Sequence, residues 1–148
     1  MGKNPTLRFW ISAVLLAAAY YFLLIELVGF ASTLKWPNWW LDVFGSSQGA
    51  KDAWIIATYT LGVLAAAVPV ALGALLNTRA FLMGMVASAL AVAVAAYPSF
   101  RPDIWALIWA NHPGYFFLDQ LKMLVAVPLL VWLFRWLPSN RAWSGHER

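Results

Sequence analysis

The sequence predicts an all-α integral membrane protein: a four-transmembrane-helix antiparallel bundle, both termini cytoplasmic, with two interfacial Trp-rich outer segments. Three observations lead there. Of the 148 residues, 63% are hydrophobic and only 11% charged, and the mean hydropathy is +0.71. A soluble domain of this length carries more charge on its surface. The apolar residues gather into four runs, near 9–30, 53–76, 80–97 and 115–137, each close to the ~20 residues an α-helix needs to cross hydrocarbon. Helices are expected because backbone in lipid must satisfy its own hydrogen bonds. Finally, the charges sort by side. Lys3, Arg8, Arg79, Arg135, Arg141 and Arg148 fall on the side of both termini, opposed only by Glu147, whereas Lys35, Lys51 and Arg101 balance Asp42, Asp52 and Asp103 in the two long connections. The positive-inside rule then places the termini in the cytoplasm and connections 31–52 and 98–114 outside. Residues 1–148 read as a single membrane domain, in a prokaryotic inner membrane given the small size and tight loops.

The first run follows Lys3 and Arg8 and superficially resembles a signal peptide. It is about twice the length of a typical h-region and contains Glu26, so a retained span is expected. Ser12, Ala19 and Glu26 recur at heptad spacing, which predicts the buried side of this helix. In the first connection, Asn38 is the expected N-cap of a short turn carrying Trp39 and Trp40, with Gly45 as its stop. Trp36, Trp40 and Phe44 would share one face. Residues 46–49 read as a flexible tip.

Span two is rich in small residues, among them Gly62 and Ala66, and holds Pro69 in its middle, which removes a backbone donor. Asn77, Thr78 and Arg79 leave room only for a tight turn, so spans two and three form a hairpin. Span three repeats small residues at every fourth position, through Ala80, Gly84 and Ser88 and again through Ala87, Ala91 and Ala95. Such faces permit close helix contact in lipid, either within the chain or between chains. In the second connection, Ile104, Trp105, Ile108 and Trp109 fit an amphipathic turn lying in the interface. The tryptophans Trp36, Trp39, Trp40, Trp105 and Trp109 read as interfacial belts. Span four carries Asp119, Gln120 and Lys122 in its first turns and Pro128 in mid-span; residues 138–148 form a cytoplasmic tail.

Composition and spacing exclude much chemistry. There are no cysteines, which removes disulfides, thiolate catalysis and iron–sulfur ligation. His112 and His146 lie outside the spans, so an intramembrane bis-histidine haem is unavailable. A metal held by His112 with Asp103 would have only two ligands. No glycine-rich phosphate loop and no Ser–His–Asp arrangement stands out. The pI near 9.7 reflects topology rather than a basic patch for nucleic acid. No cofactor and no enzymatic activity are expected.

The residues that invite function are those lipid disfavours. Glu26 lies ~7 Å inside the outer end of span one, and Lys122 ~10 Å inside that of span four. At similar depth, they suggest an interhelical ion pair anchoring span one to span four, with Asp119 and Gln120 nearer the surface. A Lys122–Asp119 pair on one helix, leaving Glu26 protonated or facing a partner protein, is the alternative.

Four spans with a carboxylate in the first resemble, in architecture, the small multidrug resistance exporters; here Glu26 is off-centre, Lys122 can neutralise it and the outer connections are long. The expected function is therefore a structural or accessory subunit that contacts lipid and assembles with itself or a larger membrane-protein partner. A small oligomeric transporter or channel using Glu26 is the chief rival, and a lipid-handling enzyme with an outer-interface cavity a third.

Overall fold

The computed structural model describes residues 5–110 and 113–136. All regular structure in them is helical: α1 (Pro5–Thr33), α2 (Asn38–Phe44), α3 (Gln48–Leu75), α4 (Ala80–Ala96), a 3₁₀ turn (Tyr97–Phe100), α5 (Pro102–Ala110) and α6 (Pro113–Trp136). Four segments are long and apolar enough to span a membrane: α1, α3, α4 with its 3₁₀ extension, and α6. The protein is an all-helical membrane protein. His112, His146 and the tail 138–148 lie outside the described residues.

Boundaries differ from the sequence expectation where caps lengthen helices. α1 continues to Thr33, its last turn held by Ser32 and Thr33 hydroxyls donating to the Gly29 and Phe30 carbonyls. The expected flexible tip is instead a helix start: Ser47 accepts from the Ala50 amide at 3.2 Å and α3 begins at Gln48. Asn38 is not the N-cap of α2. Pro37 holds that position in extended conformation, without a side-chain cap. Gly45 does end α2, with φ of +81°, a conformation that glycine adopts without the clash a Cβ would create. Pro69 and Pro128 sit inside continuous helices.

The long helices pack as a diamond. α3 and α4 touch each other across the short diagonal, and α1 and α6 each pack against both of them. The backbones of α1 and α6 do not meet. Leu27 and Val28 lie opposite Gly62, and Leu16 opposite Gly73, so α1 and α3 run in opposite directions. One end of the assembly carries the α3–α4 hairpin; the other carries the connections with α2 and α5.

The core is unusually rich in alanine. Ala13, Ala17, Ala66, Ala67, Ala71, Ala74, Ala80, Ala87 and Ala91 are buried, interleaved with Val63, Val70, Val127, Val131, Met83 and Tyr20. Small side chains let backbones approach, and packing rather than water exclusion holds helices together in lipid. The outward faces carry the large apolar groups, including Leu15, Phe22, Leu61, Leu72 and Val94.

The buried stripe of α1 is Ala13, Ala17, Tyr20, Leu24 and Ala31. This corrects the expected stripe: Ala19 and Glu26 are exposed and Ser12 only half-buried. Ser12 and Ala19 each lie one residue from a buried position, a rotation of about 100° on an α-helix, and Glu26 lies two residues past Leu24, a rotation of about 200°. Heptad spacing was real, but the apolar and small series beside it buries more van der Waals contact.

Candidate functional site

The polar residues of α6 assemble without α1. Asp119 and Lys122 are three residues apart and so share a helix face, and the Lys122 ammonium lies 3.2 Å from Asp119 Oδ1. Side chains lean toward a helix N-terminus, which carries Lys122 toward Asp119 and the connection end. The ammonium also stands 5.5 Å from the centroid of the Tyr59 ring on α3, within cation–π range. Burial is partial, the side chains being 21% and 35% exposed. Lys122 is therefore neutralised within its own helix and sits over an aromatic face of its neighbour.

Glu26 is not part of this cluster. It is exposed on the outer face of α1, flanked by exposed Phe22, Ile25 and Phe30. Its carboxylate has no ion pair or hydrogen bond among the described residues. The expected Glu26–Lys122 pair is corrected to Asp119–Lys122, because α1 and α6 occupy opposite corners of the diamond. Equal depth does not imply adjacency.

The contact between those corners is made by a residue the sequence reading passed over. Tyr20, fully buried, donates its hydroxyl to the Met123 carbonyl on α6 at 2.8 Å. A tyrosine inside an apolar run was the available signal, since a buried phenol finds a partner. Gln120, next to Asp119, holds its Oε1 buried without a hydrogen-bond partner, an arrangement that usually has a cause in water, strain or function.

Scanned against protein-family models, curated proteins and solved structures, the chain matches none.

The small-residue positions are consumed inside the chain. A Cβ at Gly62 would meet the Leu27 carbonyl oxygen at 3.1 Å and Val28 Cα at 3.2 Å; one at Gly84 would meet Val127 and Val131 side chains at 3.3 and 3.4 Å. Gly62 is thus the α1–α3 crossing and Gly84 the α4–α6 crossing. Ala66, Ser88 and Ala91 are also buried, and the Ser88 hydroxyl donates to the Gly84 carbonyl at 2.8 Å. These faces are not available to another chain.

Trp39, Trp40 and Trp54, and Trp105 with Trp109, form two aromatic clusters at the connection end. Trp39 and Trp40 contact Trp54 at 5.9 and 5.2 Å, and Trp40 packs on Phe44 at 4.3 Å. Indole N–H groups bind carbonyls: Trp40 to Ala50 at 2.8 Å and Trp54 to Leu34 at 3.1 Å. Trp54 was missed because it reads as the first turn of a span. Trp36 stands apart under the Lys51 ammonium, 5.2 Å away. Trp105 stacks on Phe100 at 5.7 Å and meets Trp109 at 5.9 Å, and both reach Phe117 of α6. Arg101 and Asp103 pair at 3.1 Å on the exposed start of α5. The clusters pin α2 to α3 and α5 to α6 at the connection end.

Proposed function

We propose that the chain is a small, non-enzymatic subunit of a prokaryotic inner (plasma) membrane, both termini cytoplasmic, which assembles with a membrane-protein partner through the outward face of α1. The observation that carries this is Glu26: an acidic side chain exposed among Phe22, Ile25 and Phe30, on a spanning helix, with no partner in its own chain among the described residues. Ionisable groups in spans are costly, about 2.5–3.5 kcal/mol on insertion scales, and rarely face lipid. A basic or hydrogen-bonding side chain from another polypeptide would complete the site. The small-residue faces are occupied internally, and the outward face of α1 carries an exposed carboxylate that is unpaired among the described residues. The orientation rests on Arg8, Arg79 and Arg135 near the hairpin end, without acidic residues beside them among the described residues.

The same carboxylate supports a second reading, a small oligomeric transporter or channel in which Glu26 lines a path between copies. Photocrosslinking in native membranes separates them. A crosslinker at Ile25 should give one discrete protein adduct, diminished by Glu26→Ala, while one at Leu129 on α6 gives only lipid. Equal, lipid-only labelling at both positions would overturn the assembly reading. Proton-dependent cation flux in liposomes, abolished by Glu26→Gln, would establish transport instead.

A further inference from the structure

At the hairpin end, remote from Glu26, α1 and the α3–α4 hairpin leave an open cleft of about 300 Å³, the lower end of the range of ligand pockets. Its apolar lining is formed by Leu15, Leu16, Gly73, Leu76 and Met83. Its polar edge is made of Ser12 and Asn77. Asn77 Oδ1 accepts from the Arg79 amide at 3.1 Å, which leaves its Nδ2 donors without a hydrogen-bond partner among the described residues. Ser12 adds a hydroxyl donor.

Two exposed arginines flank this edge. Arg8 lies one helical turn before Ser12, on the same side of α1, and Arg79 lies two residues after Asn77 in the turn. Neither guanidinium pairs with a carboxylate among the described residues. An apolar cleft between spanning helices, rimmed by donors and positive charge, is complementary to one kind of molecule in a bilayer: a phosphate head with an acyl tail. Basic pockets between spans are a recognised mode of anionic-lipid binding. We infer that this cleft is a binding site for one anionic phospholipid, its phosphate held by Arg8, Arg79, Ser12 and Asn77 and an acyl chain lying along Leu15, Leu16, Leu76 and Met83.

Charge alone would gather anionic lipid loosely around any basic helix end, so the test must separate a cleft from a field. Native mass spectrometry of the full chain in neutral detergent, titrated with phosphatidylglycerol or with phosphatidylcholine of the same acyl chains, provides it. The expected result is one retained phosphatidylglycerol per chain, bound about tenfold tighter than phosphatidylcholine, with Arg8→Gln and Arg79→Gln each weakening it roughly fivefold. Ser12→Phe fills the cleft without changing charge and should abolish that single retained lipid. Leu76→Glu, at a position 91% exposed and so harmless to the core, should expel it as well. Inorganic phosphate should not compete, since it lacks the tail. Equal retention of the two lipids, competition by phosphate, or undiminished retention in a folded Leu76→Glu variant would each overturn the inference.

Discussion

The Tyr20 hydroxyl and the Met123 carbonyl, 2.8 Å apart, join two helices whose backbones never approach each other. α1 and α6 sit at opposite corners of the diamond, and the phenol reaches between them through a core of alanines. The acceptor lies beside the stretch where Pro128 deprives the Leu124 carbonyl of its helical donor. This hydroxyl bridges the long diagonal, while α3 and α4 touch across the short one.

Tyr20→Phe removes that hydroxyl with little loss of volume. The Met123 carbonyl keeps its place in the α6 helix, so no orphaned acceptor results, and the expected cost is about 1 kcal/mol. Tyr20→Ala should cost about 3–5 kcal/mol, because the core around Ala13 and Ala17 cannot collapse onto the space. Reversible unfolding in mixed detergent micelles measures both. A Phe variant as damaged as the Ala variant would show that the hydrogen bond, not packing, dominates.

The hydrophobic runs made the helices legible, because crossing a membrane fixes both length and composition. Which faces meet was less legible. Ser12, Ala19 and Glu26 follow a heptad as well as the buried series does, and span-wide apolarity leaves no polar face to break the tie. Gly62 and Gly84 could be read as contact points, but not as contacts to α1 and α6 within one chain. Counting residues puts Glu26 and Lys122 at similar depth, but it says nothing about which corner of a four-helix section each helix takes. The Asp119–Lys122 pair was accessible from i, i+3 spacing alone. The Ser47 cap was hidden in a serine-rich stretch that also suits a loop.

Glycine substitutions should sort by what the new methyl group meets. Gly62→Ala places a Cβ against Leu27 and Val28 backbone atoms at 3.1 and 3.2 Å, which cannot rotate away, and an overpacking cost of about 1–3 kcal/mol is expected. Gly29→Ala meets nothing within 4 Å and should be neutral or stabilising by up to about 1 kcal/mol through helix propensity. Unfolding midpoints of the two variants, measured in one detergent, test the α1–α3 crossing directly.

A double-mutant cycle on Asp119→Asn and Lys122→Met should give a coupling of about 0.2–1 kcal/mol, modest because both side chains remain partly exposed. The cycle between Glu26→Gln and Lys122→Met should be additive within about 0.5 kcal/mol. Coupling of the second pair as large as the first would place α1 beside α6 and contradict the diamond. Lys122→Arg offers a further check, since a guanidinium can keep the carboxylate while stacking on Tyr59.

Glu26 distinguishes a residue that stabilises its own fold from one reserved for assembly. If it served the isolated chain, replacing it would weaken that chain. It has no ion pair or hydrogen bond among the described residues, and the neighbours Phe22, Ile25 and Phe30 are apolar and exposed. Glu26→Leu should therefore leave unfolding of the purified protein unchanged or shift it to higher denaturant, since a carboxylate is removed from an apolar helix face. In native membranes the same substitution should reduce the Ile25 crosslink and shorten the lifetime of the chain, because the partner's complementary group loses its counterpart. Stability kept or gained in detergent together with a lost crosslink in membranes is the outcome expected of a carboxylate that acts between chains. A Glu26→Leu protein less stable in detergent than wild type would instead assign the residue to the internal structure of α1.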